Sequence, residues 1–159
     1  MRALPPGVAL LAPLLALTAC SSPDPLPEGT PFGEPVAVPY PFGVEGDTDP
    51  GDTVDVLYTV DDVVVTADTG DGRRVEFVVT VEDPGLGRPF DLSSLTASCE
   101  VDGRPYEGRS ETPLPTVEGG THDFTMGCTV PGGTEALRII VQRDRAEAGF
   151  AGPIDLLPT

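Results

Sequence analysis

The chain has 159 residues and a mass of 16.5 kDa, which suits one domain with a modest core and not two. Its 26 acidic and 9 basic residues, the latter all arginine, give a formal charge of −17. That balance argues against a nucleic-acid binder, whose phosphate contacts need a basic face, and against simple electrostatic docking onto anionic lipid. With 19 Gly, 19 Pro, no Trp and one His, the composition favours a turn-rich β fold and leaves little scope for imidazole chemistry.

Arg2 precedes an apolar run over residues 7–19. A charged start, a short apolar stretch and a small residue at its end make a secretory signal. The run is shorter than the ~20 residues that span a bilayer, and Pro13 interrupts it. It closes on Leu17-Thr18-Ala19-Cys20, which resembles the lipobox of bacterial lipoproteins. The resemblance implies cleavage before Cys20 and a diacylglycerol thioether on its sulfur, leaving the mature protein lipid-anchored on the extracytoplasmic face of the cell membrane. Two acyl chains hold a soluble domain on a bilayer where one is marginal.

Residues 20–52 read as a lipid-anchored tether. The stretch 21–35 contains five prolines and only Leu26 and Phe32 as large apolar residues, too few to offset the entropy of ordering, so it predicts an extended spacer. A short edge strand is predicted near residues 36–40, because Pro39 and Pro41 bar that segment from a sheet interior.

From Thr53 the pattern has period two. Val54, Val56, Tyr58 and Val60 alternate with smaller or polar residues, and a second run covers residues 62–67. Asp68-Thr69-Gly70-Asp71-Gly72 then predicts a turn, and Val75, Phe77, Val79 and Val81 share one face of the next strand, completing a hairpin. Leu95, Ala97, Cys99 and Val101 alternate up to an Asp102-Gly103 turn. A Gly/Pro-rich connection over 103–120 follows, then strands bearing Phe124, Met126, Cys128 and Val130, and Leu137, Ile139 and Val141. About seven strands with turn spacing predict an all-β, antiparallel sandwich over residues 53–142. The tail 143–159 either docks as an edge strand or hangs free.

With Cys20 assigned to lipid, Cys99 and Cys128 form the remaining pair in an exported domain. Both lie on the apolar phase of their strands, the placement a core-crossing disulfide needs. Closing a loop of about thirty residues contributes on the order of 3–4 kcal/mol. No pair of closely spaced cysteines marks a redox motif.

Motifs for catalysis are sparse, so the expectation is a protein that is not an enzyme and has no cofactor. No serine has a nucleophile-elbow context, and His122 is the sole imidazole. His122 and Met126, four apart, sit ~13 Å from each other along a strand, which disfavours a copper site. Carboxylate pairs are inevitable among 26 acids, so a carboxylate-based hydrolase stands only as a remote alternative. A calcium-binding module is the nearer one. Asp47, Asp49 and Asp52 crowd one segment and Asp61, Asp62, Asp68 and Asp71 another, but neither has EF-hand spacing, and Asp with Gly forms turns in any case.

Several segments follow a known order: FVVTVEDPG over residues 77–85, Val101-Asp102-Gly103-Arg104-Pro105-Tyr106, Gly119-Gly120-Thr121, and FTMGCTVPG over 124–132. This resembles the immunoglobulin-like, telokin-like domain of bacterial secreted lipoproteins akin to the mycobacterial immunoprotective antigen family, over roughly residues 53–142. Glu82-Asp83-Pro84-Gly85 stands where that family usually has Asn near the strand end. The lysine-free composition is similar to that of high-GC actinobacteria. The expectation is a surface lipoprotein that presents a non-catalytic immunoglobulin-like binding domain to a protein or other envelope component. Arg104, Tyr106 and Arg109, in the connection after Gly103, are candidate contact residues because Tyr and Arg are favoured at interface hot spots. The turn at 68–72 is a second candidate loop.

Overall fold

The computed structural model describes residues 28–41, 53–69, 71–85 and 89–156. Among them there is no helix, and the chain is all-β. Cys20, expected to carry the lipid, the expected signal segment over residues 1–19, and Asp47, Asp49 and Asp52 lie outside the described residues.

The longest strand shows how side-chain phase builds the fold. Strand β3 (Thr53–Asp68) buries Val56, Tyr58 and Val60, then Val63 and Val65. The inward set switches from even to odd positions at Asp61-Asp62, where the register with the next strand slips. Asp62 takes φ 50°, and its N–H donates to Asp61 Oδ1 at 2.8 Å. A β-bulge absorbs the extra residue, so the two runs in the sequence are one bent strand. Strand β4 (Arg73–Asp83) pairs antiparallel with it and places Val75, Phe77, Val79 and Val81 inside. Thr69 N–H and Oγ1 both reach Gly72 O in the connecting turn, and Arg73 Nη2 meets Asp68 Oδ2 at 2.7 Å across its base.

Strands β6 (Leu95–Val101) and β7 (Arg104–Ser110) form a two-residue hairpin. Asp102 (φ 51°) and Gly103 (φ 73°) both occupy the left-handed region, as a type I′ turn demands. The predicted Gly/Pro-rich connection is thus a strand for its first half. β7 first pairs with β6, then at Arg109 and Ser110 with β9 (Gly120–Val130). Gly108 sits at the change-over, where a Cβ would stand 2.8 Å from Ala97 O; only glycine allows that approach.

Strands β10 (Ala136–Arg143) and β11 (Ala146–Pro153) complete the body. The tail therefore docks. β11 pairs with β10 along its length, and Phe150 at its centre is fully buried. The hydrogen-bonded path runs β1–β11–β10–β6–β7–β9–β4–β3–β12, with β2 (Val36–Pro41) also on β3. β1 (Thr30–Pro31) joins β11, and β12 (Asp155–Leu156) joins β3, both in parallel. The ten-stranded sheet is therefore mixed rather than purely antiparallel. The extra strands beyond seven are two-residue or proline-bearing pieces with no periodicity to read. β5 (Phe90–Asp91) and β8 (Thr116–Val117) make a separate two-stranded ribbon.

The sheet rolls over itself until β11 comes against β2 and β3, enclosing one apolar cluster. Cys99 on β6 and Cys128 on β9 are joined in a disulfide across this core, with Cα atoms 6.3 Å apart. β7 lies between the two in the sheet, so the bond spans the turn of the roll.

Part of the predicted spacer belongs to the fold. Thr30 and Pro31 pair with Phe150 and Ala151, and Gly33 N–H donates to Val60 O at 2.8 Å. Phe32 covers Gly152, where a Cβ would meet its ring at 2.7 Å. One aromatic residue suffices here because its partner strands are already formed.

Candidate functional site

Where β2 approaches the β10–β11 turn, no ladder joins the two ends of the sheet among the described residues. The seam opens into a groove of about 610 Å³. Val38 and Tyr40 on β2 and Val56 and Tyr58 on β3 supply its apolar wall. Arg143, Asp144, Arg145 and Glu147 supply the polar side.

Arg143 is the residue to explain. It follows Leu137, Ile139 and Val141 on the inward phase of β10 and is 8% exposed. A guanidinium buried this far costs several kcal/mol unless its charge is compensated. Its Nε–H donates to Asp91 O at 2.8 Å. Its carbon lies 4.1 Å from the Phe90 ring centroid and 5.0 Å from that of Tyr40. These two rings pack edge to face at 5.2 Å. Cation–π attraction of this kind strengthens where water is excluded. The nearest carboxylate oxygen among the described residues, Asp144 Oδ2, is 3.7 Å from Nη1, an ion pair but not a hydrogen bond. Among the described residues the terminal nitrogens have no hydrogen-bond acceptor.

Two shifts mark the surroundings. Burial pushes the Tyr58 phenol above its ordinary 10.0, partly countered by Arg143. Backbone and side-chain hydrogen bonds from Ser93 hold the Asp91 carboxyl below its ordinary 3.8, with Ser93 N–H donating to Oδ1 at 2.8 Å. Asp91 is thus fixed as the local turn whose carbonyl receives Arg143.

The residues expected from sequence to make contacts do not converge. Arg104, Tyr106 and Arg109 lie on strand β7, not on a loop. Arg109 Nη2 pairs with Glu107 Oε2 at 3.0 Å, both strongly exposed, while Tyr106 packs against the core. Pro105 and Gly108 had disguised this strand. His122 Nε2 lies 2.8 Å from Gly119 O, and Met126 is in the core.

For calcium, Asp68 is engaged by Arg73 and Asp61 by its neighbour's N–H. Among the described residues no group of three or more His, Cys, Asp or Glu is arranged to hold a metal. The groove itself has a mixed lining, not an acidic one. The signal in the sequence for its central residue is a charged side chain in phase with three buried aliphatics, Leu137, Ile139 and Val141.

No family model, curated protein or solved structure matches the chain.

Proposed function

We propose that this chain is a lipid-anchored, extracytoplasmic binding protein whose domain works through the Arg143 groove and not by catalysis. The supporting observation is a nine-tenths buried guanidinium, held by a backbone carbonyl and two rings, beside an apolar wall. A concave, mostly apolar site with few polar groups fixed in place is the usual form of a ligand pocket. The lipobox at residues 17–20 supports the anchor, and a cystine-braced exported domain suits an oxidising compartment. A mature chain this acidic is repelled by anionic headgroups, so the lipid keeps the domain near the membrane while charge holds it off the surface.

The roll is an immunoglobulin-like sandwich in this reading. β1, β11, β10 and β6 form one layer; β9, β4, β3 and β2 form the other; β7 passes between them. The pairing order and the Cys99–Cys128 bond support that division.

Two experiments test the proposal. Mass analysis of the mature N-terminus should find diacylglyceryl on Cys20; cleavage elsewhere contradicts the anchor. A photo-crosslinking residue placed at Asp144, on the groove rim, should label a component of intact cells. The same residue at Thr129, level with Ala67 at the far end of β3, should not. Equal labelling from both positions, or none from 144, contradicts the groove.

A further inference from the structure

Resting on the reading that the groove is the binding face, we propose that its ligand is a small organic anion: one carboxylate on an apolar body, with the carboxylate on the terminal nitrogens of Arg143. A planar guanidinium offers parallel donors that match a carboxylate. Here it is oriented before any ligand arrives, since Nε is committed to Asp91 O and the guanidinium packs against the adjoining Phe90 and Tyr40 rings. The entropic cost of ordering a long side chain is therefore already met in the free protein.

The charges around Arg143 leave room for an anion. Glu147 Oε1 lies 3.8 Å from Arg138 Nη2, so its charge is shared with a cation that does not line the groove. Arg145 adds a second positive group to the lining. Among the described residues Asp144 is the carboxylate in ion-pair contact with Arg143, at 3.7 Å and 65% exposed, on a turn residue with φ 54°; Asp91 also feels the guanidinium, but its carboxylate is held by Ser93. Asp144 can turn out to water when a ligand carboxylate takes its place. Val38, Val56 and Tyr58 offer an apolar wall for the remainder of the molecule, and the volume suits a drug-sized ligand.

Other occupants fit less well. An extended peptide adding a strand at this seam needs backbone donors from β2, and Pro39 and Pro41 have none. A metal cation meets the two arginines.

Titration of the purified full chain with 1-naphthylacetate and with neutral 1-naphthylacetamide tests the assignment by calorimetry. The acetate should bind at least about tenfold more tightly, the ratio a charge-assisted hydrogen-bonded pair supplies. Asp144→Asn, an exchange that the left-handed backbone tolerates, should raise acetate affinity severalfold and leave the acetamide unchanged. Arg143→Met, where it still melts cooperatively, should abolish the difference between the two compounds. Equal affinities in the parent protein, or weaker acetate binding by Asp144→Asn, overturn the anion and leave the groove reading standing. Failure of both compounds to bind at millimolar concentration overturns both.

Discussion

The guanidinium of Arg143 lies 4.1 Å over the ring of Phe90, and the same side chain donates to the carbonyl of the residue that follows that ring. One cation thus ties the last turn of the main sheet to the separate β5–β8 ribbon. Phe90 and Leu92, both buried, close the end of the core beneath it.

This makes Arg143 structural as well as a candidate contact. Arg143→Met should keep the volume but lose the hydrogen bond and the cation–π contacts, costing about 1–3 kcal/mol. The denaturant midpoint should fall with an unchanged slope. Arg143→Lys should not restore it, because an ammonium cannot stack flat on a ring while donating sideways to Asp91. A Lys variant with the parent midpoint would show that charge alone matters.

The disulfide makes a separate prediction. Removing both Cys99 and Cys128 by alanine substitution should cost on the order of 3–4 kcal/mol, lowering the melting temperature by roughly 10 °C or more. The fold has no Trp, and its core is built largely from valines, so it has few large contacts to compensate. An unchanged melting temperature in the double variant, relative to the oxidised parent, contradicts the bracing role.

Phe32 sets apart the two readings of the N-terminal segment. A spacer residue can be truncated freely, whereas a residue that covers Gly152 cannot. Phe32→Ala should destabilise the domain by about 1–2 kcal/mol. Gly152→Val should do the same from the other side by displacing the ring. Chemical unfolding of each variant checks this, and parent-like stability for both would return the segment to a tether.

These cases also show what was legible in the sequence. Val75, Phe77, Val79 and Val81 declare their strand because a period of two over β-branched and aromatic residues has few other meanings. The Asp102-Gly103 turn is equally plain. Strand β7 is obscured by Pro105 and by Gly108, the latter required by the close approach to Ala97. β11 is obscured because its inward positions include Ala148 and Gly152 beside Phe150, small residues with weak strand propensity. The bulge at Asp61-Asp62 was visible as a break in phase, but a break in phase does not say whether the chain turns or merely slips. The groove depends on strands far apart in sequence, β2 and β10, so no local pattern could assemble it.

Two groups near the groove carry shifted ionisation. The Tyr58 phenol is raised by burial, so its neutral form contributes stability below the unfolded value of about 10, lost as pH climbs through the higher folded value. In an ultraviolet titration one of the three tyrosines should ionise late, and Tyr58→Phe should remove that phase. Asp91 is lowered by its bonds from Ser93. Its contribution is present above 3.8 and lost as pH falls through the lower folded value. Asp91→Asn should flatten the stability profile below about pH 4. Simultaneous ionisation of all three phenols, or an unaltered acid limb, contradicts these assignments.

The central claim is that the working surface is the seam where β2 meets the β10–β11 turn. The most direct measurement is a heteronuclear NMR titration of the isotopically labelled protein with a panel of small anionic, neutral and cationic aromatic compounds. Saturable shifts concentrated on Val38, Val56, Tyr58 and Arg143 are expected. Shifts gathered instead on strand β7 around Arg104 and Arg109, or scattered without saturation, would contradict the claim.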